Sequence, residues 1–99
     1  MRVLVTSTPR STPPPEGISM LIGATIEWYQ RHKSKFDIFG SFMGGGGFAA
    51  LNVDSEQELN QIMAEMPFTP FSDTLVRPYV AGDAGLRQVQ EIFQAMMPS

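Results

Sequence analysis

Short apolar runs rich in β-branched and aromatic residues recur along the first eighty positions and are separated by turn-forming residues. Four of these runs have the length and composition of β-strands: residues 2–7, 36–42, 48–53 and 74–80. A proline tract follows the first run, and four consecutive glycines separate the second from the third. Pro78 lies inside the fourth run and cannot donate a ladder hydrogen bond, which predicts an edge strand or a bulge at that point.

Three other stretches repeat their apolar positions at the period of an α-helix. The first is residues 16–33, which follows Pro15, a residue suited to an opening helical turn. The second begins after Asp54 or Ser55, either of which can cap it, and acidic residues in its first turn suit the positive end of the helix dipole. The third runs from Leu86 to Met97, and the AGDAG segment before it is predicted to be a loop.

The order of elements is therefore β-α-β-β-α-β with a further helix at the C-terminus. This order is typical of the α+β ferredoxin-like fold, in which helices cover one face of an antiparallel sheet. A length of 99 residues suits a single domain, residues 1–99. The charged fraction of 17% is below the roughly 25% that is typical of soluble domains. This composition and the bare sheet face predict that a second copy of the chain covers part of the surface, as a homodimer or a higher homo-oligomer.

Composition excludes several classes of function. The net charge is −3 and no basic stripe is present, so the chain cannot supply the phosphate contacts that nucleic-acid binding needs. It contains no cysteine and one histidine, which argues against the usual metal sites, and we expect no metal and no other cofactor. No apolar stretch reaches the length of a membrane span, and the short apolar start is not a signal core, so a cytoplasmic location is expected.

The four glycines do not form a phosphate-binding loop, because no Lys-Ser/Thr pair and no helix follow them. They fit the connection of a hairpin between the second and third strands, where positive φ angles are needed. Four glycines exceed what a two-residue turn requires. The surplus predicts a flexible tip or a bulge that makes room at a pocket mouth or at a dimer interface.

Three details of the second half of the chain form a recognisable pattern. A strand ends in Asn52-Val53-Asp54-Ser55 and opens a helix with Glu-Gln-Glu-Leu; that helix ends in Met66-Pro67-Phe68; and Thr69-Pro70-Phe71 leads into the last strand. The stretch GGGGFAALNVDSEQELNQIMAEMPFTPFSDTLVRPYV thereby resembles the muconolactone delta-isomerase family, and the first half resembles it in element order. The resemblance implies a dimeric α/β barrel, in which two ferredoxin-like sheets pack face to face. That superfamily includes cofactor-free isomerases, polyketide cyclases, small monooxygenases, and modules that only bind ligands or assemble.

One segment departs from the family. The first helix of the muconolactone isomerases carries acidic and lysine residues thought to transfer protons, whereas this chain has LIGATIE at residues 21–27. Glu27 alone could match, and the helical period points it away from the apolar stripe. The lactone isomerisation and its catalytic residues are therefore not transferred to this chain.

Candidate catalytic residues lie in one row on the inner side of the first helix. His32 has a side chain that titrates near neutral pH and suits a general acid or base, and Tyr29, one turn earlier, could bind a substrate oxygen. The candidate substrate-binding residues are Thr25, Trp28, Arg77, Ser41 and Met63. Each also suits a plain structural role: an imidazole at a helix end, aromatic and methionine side chains in a core, an arginine exposed on an edge strand.

These residues predict a small cofactor-independent isomerase, lyase or cyclase. It would move a proton next to a carbonyl group of a small oxygenated metabolite, such as a lactone, a polyketide or an aromatic-derived compound, with Tyr29 or Arg77 stabilising the oxyanion. Two alternatives stay open, a cofactor-free monooxygenase of the same superfamily and a non-catalytic small-molecule-binding or assembly module. An empty pocket on which His32, Tyr29 and Arg77 converge would favour an enzyme.

Overall fold

The computed structural model describes residues 1–98 and contains four β-strands and three α-helices in that range. In chain order these are β1 (Arg2–Pro9), α1 (Pro15–His32), β2 (Phe36–Ser41), β3 (Gly47–Asn52), α2 (Glu56–Ala64), β4 (Ser72–Pro78) and α3 (Gly82–Met96). Short 3-10 turns at Lys33–Lys35 and Thr69–Phe71 precede β2 and β4. No helix among the described residues combines the length and the apolar character needed to cross a membrane.

The four strands form one antiparallel sheet in the order β2-β3-β1-β4. This order, with the α-helices between strands one and two and between three and four, confirms the predicted ferredoxin-like fold. β4 is an edge strand and Pro78 is its last residue, so the missing amide of this proline removes no interior ladder bond.

The core lies between one face of the sheet and the helices α1 and α2. On this inner face Val3 pairs with Leu51, and Val5 pairs with Ala49. These four side chains are buried, and Trp28 of α1 and Ile62 of α2 are buried against them. Packing one apolar stripe from each helix onto this small patch is what holds the helices to the sheet.

Of the two candidate caps of α2, Asp54 and Ser55, the structure shows Ser55 as the N-cap. Its hydroxyl accepts a hydrogen bond from the Glu58 amide at 3.1 Å, and the Glu58 carboxylate accepts one from the Asp54 amide at 3.2 Å. This pair resembles a capping box, except that the Glu58 carboxylate binds the amide of the residue before the N-cap and not that of the N-cap itself.

The sequence-based prediction places the start of the last helix too late, at Leu86. The AGDAG segment was expected to be a loop, but α3 begins at Gly82. Gly82 has a φ of +61°, which lets the chain turn sharply after the extended Ala81, and Asp83 then lies in the first turn, where a negative charge is favourable.

Helix α3 stands apart from the rest of the chain. None of its residues is buried, and its apolar stripe is exposed: Leu86, Val89, Ile92, Phe93 and Met96. The Cα trace extends over 63 Å in one direction but only 26 and 22 Å in the others. Within the described chain this stripe therefore has no apolar surface to pack against.

The glycine run lies at the β2–β3 connection, as predicted: Gly44, Gly45 and Gly46 belong to the turn, and Gly47 begins β3. The Phe42 amide donates to the Gly46 carbonyl at 3.0 Å, and the Gly45 amide donates to the Phe42 carbonyl at 3.1 Å. Gly45 and Gly46 have φ angles of +105° and +85°. Gly46 also lies so close to β1 that an added Cβ would come within 2.1 Å of the Ser7 carbonyl oxygen.

We expect Gly46→Ala to destabilise the protein by at least about 2 kcal/mol, because it combines a left-handed backbone with a backbone clash. Gly44→Ala is the matched control, since an added Cβ there meets nothing within 4 Å. Urea unfolding followed by circular dichroism measures both. Equal midpoints for the two variants would contradict the described geometry of the turn.

Candidate functional site

An open cavity of about 440 Å³ lies at one end of the sheet. β1 and β2 end there, β3 and β4 begin there, and the middle of α1 passes over it. This volume is within the roughly 300–1,000 Å³ range of small-molecule sites. The lining residues are Ser7, Pro9, Ser11, Thr12, Pro13, Ile22, Thr25, Ile26, Phe39, Ser41, Gly46, Phe68, Phe71 and Ser72. We call this space the hydroxyl-lined cavity.

Strand register creates the floor of the cavity. Ser7 of β1 and Ser41 of β2 both pair with Gly47 of β3, so the three residues form one row across the inner face of the sheet. Directly paired residues share a face, and glycine contributes no side chain, so the row presents two hydroxyls on either side of bare backbone. The neighbouring row, Val5 and Ala49 with Phe39, is apolar. Along β1 the inner face thus changes from core at Val5 to cavity at Ser7, the next residue on that face.

The polar groups of the cavity are hydroxyls. Six serine or threonine residues are among the fourteen described lining residues, and none of the fourteen has an ionisable side chain. Thr25 Oγ1 donates to the Leu21 carbonyl at 2.8 Å, within its own helix. A hydroxyl both donates and accepts, so the remaining groups can bind a carbonyl or a hydroxyl of a ligand.

The walls are aromatic and aliphatic. Phe39, Phe68 and Phe71 form the sides. Ile22 and Ile26 of α1 lie at the rim and are 49% and 57% exposed, so the cavity opens to solvent on the α1 side. The arrangement suits a largely apolar ligand that carries a few oxygen atoms.

The structure separates the residues that the sequence placed in one site. Thr25 and Ser41 line the hydroxyl-lined cavity. Trp28 and Met63 instead border a much smaller space of about 40 Å³ in the core. Arg77 lies on the other face of the sheet, beside Leu4, Thr6 and Leu75.

His32 and Tyr29 are not among the residues that line the hydroxyl-lined cavity. Tyr29 stacks on Phe39, with ring centroids 4.6 Å apart and planes at 25°. His32 Nε2 lies 2.8 Å from Glu65 Oε2, just beyond the end of α2. The buried Trp28, which directly precedes Tyr29, donates from Nε1 to the Ile62 carbonyl at 2.8 Å. The expected row of hydroxyl, phenol and imidazole is therefore split, because the C-terminal half of α1 packs against the core and α2.

The cavity lies against the middle of α1, at Ile22, Thr25 and Ile26, whereas the sequence pointed to the polar C-terminal end, at Tyr29 and His32. Ser7, Ser11, Thr12 and Ser72 were not among the candidates. One signal was present: the alternation of Val3 and Val5 continues to Ser7, which places the Ser7 hydroxyl on the same face as the core. The remaining residues belong to Ser/Thr/Pro-rich stretches, which carry no pattern that distinguishes a site from a loop.

No group of three or more histidine, cysteine, aspartate or glutamate side chains in residues 1–98 is placed to hold a metal ion. No family model matches the sequence, and no curated protein matches it either. The comparison with solved structures is more informative.

One solved structure, muconolactone isomerase, matches with a TM-score of 0.72 and 18% sequence identity, over 85% of this chain and 93% of the other. The fold is similar to that of muconolactone isomerase. A second match is 5-chloro-2-hydroxyhydroquinone dehydrochlorinase from Burkholderia phenoliruptrix AC1100, in complex with 2,5-dihydroxybenzoquinone. Its TM-score is 0.68 and its identity 20%, over 86% of this chain and 99% of the other. The resemblance seen in the sequence is thus confirmed at the level of the fold.

The contact between His32 and Glu65 ties α1 to the end of α2 electrostatically. The hydrogen bond from His32 lowers the pKa of the Glu65 carboxyl below its ordinary value of 4.5, and Arg31, 3.9 Å away, acts in the same direction. A lowered folded-state pKa means that the ionised carboxylate stabilises the fold above pH 4.5 and that this contribution is lost as the pH falls through the lowered value.

We expect Glu65→Gln to lower the urea midpoint near neutral pH and to have progressively less effect below pH 4.5. The control is Glu27→Gln, which changes an exposed acid on α1. Its effect on the urea midpoint should not decrease in this way as the pH falls. Unfolding midpoints measured across this pH range give the comparison. A Glu65→Gln effect of constant size at every pH would show that the contact is not electrostatic.

Proposed function

We propose that this chain is a small enzyme of the isomerase, lyase or cyclase kind that acts on an oxygenated, largely apolar small molecule in the hydroxyl-lined cavity. The observation that carries the proposal is the cavity itself: about 440 Å³, apolar walls and a floor with two serines. It lies in a fold similar to the folds of an isomerase and a dehydrochlorinase.

The side chains of this site suit the stabilisation of a negative charge that develops on the substrate. None of them is a strong acid or base that would itself exchange a proton with the substrate. A carbon next to a carbonyl group loses a proton more easily when donors hold the developing oxyanion, and the Ser7 and Ser41 hydroxyls can act as such donors. Apolar walls strengthen these hydrogen bonds by excluding water. A bound water can carry the proton from this carbon to another atom of the same substrate, so the substrate ends uncharged and no side chain keeps the proton. In this proposal His32 and Tyr29 hold α1 in place and do not touch the substrate.

A second candidate function is a binding module without catalysis. The observation that favours it is the lack of an ionisable side chain among the described lining residues, since most proton-transfer sites use one. The two functions share the ligand and differ in whether the ligand is converted.

We expect Ser41→Phe to abolish ligand binding and turnover, because the added ring fills the floor of the cavity. Met20→Phe, at an exposed position of α1 that does not line the cavity, is the control and should leave both unchanged. A panel of lactones, hydroxyquinones and small polyketides, with binding followed by native mass spectrometry and conversion by liquid chromatography, tests the variants. Conversion by the parent protein supports the enzyme, and binding without conversion supports the module. Undiminished binding by Ser41→Phe would contradict both.

We also propose that the chain forms a homodimer through the outer face of its sheet. Leu4, Ile38 and Leu75 lie on this face and are 41%, 57% and 49% exposed. Apolar side chains grouped on one face of a sheet favour burial against a partner, and the same patch on two copies is complementary under two-fold symmetry. Pairing of this kind would form the α/β barrel that the family resemblance implies.

Leu75→Lys should convert the dimer to a monomer, because each copy would carry a second cation beside Arg77 on the face that becomes buried. The control is Met20→Lys on α1, an exposed residue on the helix side of the molecule. Size-exclusion chromatography with light scattering gives the masses. A parent protein that is monomeric, or a Leu75→Lys variant that stays dimeric, would overturn the outer-face dimer.

A further inference from the structure

We propose that the ligand of the hydroxyl-lined cavity is uncharged and that its oxygen atoms bind Ser7 and Ser41 on either side of the bare backbone at Gly47. This inference rests on the proposed function, in that it takes the cavity to be the ligand site. It adds the charge class of the ligand and the two positions that orient it.

The charge class follows from the composition of the lining. None of the described lining residues is ionisable, so a carboxylate, phosphate or ammonium group would enter the cavity without a charged partner. Removing a charged group from water without such a partner is strongly unfavourable, whereas a carbonyl or hydroxyl needs only one or two hydrogen bonds.

The nearest cation in the sequence is occupied elsewhere. Arg10 lies between the lining residues Pro9 and Ser11, but its Nη2 donates to the Pro70 carbonyl at 2.8 Å and its Nη1 lies 3.5 Å from Asp73 Oδ1. The guanidinium thus holds together the β1 and β4 ends of the sheet.

The glycine-rich turn does not replace the missing cation. Backbone amides in a glycine-rich turn can bind an anion when they point together into a concavity. Here the amides of Phe42 and Gly45 already donate within the turn, to the carbonyls of Gly46 and Phe42. What the glycines provide is space, because Gly46, which lines the cavity, and Gly47, which lies between Ser7 and Ser41 in the sheet, carry no side chain.

The orienting positions follow from register. Ser7 and Ser41 flank Gly47 in one row, so they are two strand spacings apart, roughly 10 Å. A flat ring system that lies over Gly47 can place one oxygen near each serine. Each hydroxyl can donate to a carbonyl or accept from a hydroxyl, so the pair suits a ring carrying oxygens at opposite ends. Phe39 and Phe71 supply aromatic walls for the ring.

Four naphthalene probes of similar shape test this inference: methyl 2-naphthoate, 2-naphthoate, naphthalene-2,6-diol and naphthalene itself. Binding to the full chain is measured by fluorescence titration at neutral pH. The uncharged ester should bind at least about tenfold more tightly than the carboxylate, because the site offers no partner for the charge. The variants Ser7→Ala and Ser41→Ala should each weaken the diol about fivefold and leave naphthalene unchanged, because one neutral hydrogen bond is lost.

Ser19→Ala is the matched control, since Ser19 is exposed on α1 and does not line the cavity, and it should change no affinity. Circular dichroism confirms that each variant is folded. A carboxylate that binds as tightly as the ester overturns the uncharged class, and serine variants that weaken the diol no more than naphthalene overturn the orienting role. Both results would leave the cavity as the ligand site. Failure of all four probes to bind the parent protein would instead overturn the proposed function, and this inference with it.

Discussion

The alternation of side chains along β1 is the constraint on which both the core and the cavity depend. β1 is an interior strand that pairs with β3 on one side and β4 on the other. Every second residue of β1 therefore lies on the inner face, in one row with its paired residues on β3 and β4. Val3 and Val5 place two rows in the core, and Ser7 places the third row at the cavity. A shift of one residue in this register would expose the core valines and turn Leu4 and Thr6 inward in their place. The position of the site is therefore fixed by the same pairing that stabilises the fold.

The way in which α1 is attached explains why the cavity is open. Its C-terminal half is held by a buried indole, a stack of aromatic rings and the contact with Glu65. The middle of the helix, at Ile22, Thr25 and Ile26, faces the end of the sheet that carries Ser7, Ser41 and Gly46, where no large side chain fills the gap. A helix that is fixed at its C-terminal end over a floor of small side chains leaves a space beneath it. The cavity results from glycine on the sheet as much as from any residue on the helix.

Much of the fold was predictable because it is encoded locally. Strand composition, the glycine connection, the cap at Ser55 and the edge position of Pro78 each follow from a few neighbouring residues. The location of the site was not predictable in the same way. Helical period gives the inner face of α1, but which half of that face meets a polar sheet surface depends on strand register, which is a long-range property. Thr25 and Ser41 were found because each lies on an inner face, whereas Ser72 lies in a stretch that shows no pattern.

The exposed apolar face of the sheet is separated from the site by the sheet itself. The outer face carries Leu4, Ile38 and Leu75, and it lies on the opposite side of the sheet from the hydroxyl-lined cavity. A partner on that face would make the sheet more rigid without narrowing the opening beside Ile22 and Ile26. Because the floor serines belong to the sheet, such a partner would hold them more firmly in place. The sheet can therefore be covered on its outer face while the cavity on the other face stays open to solvent.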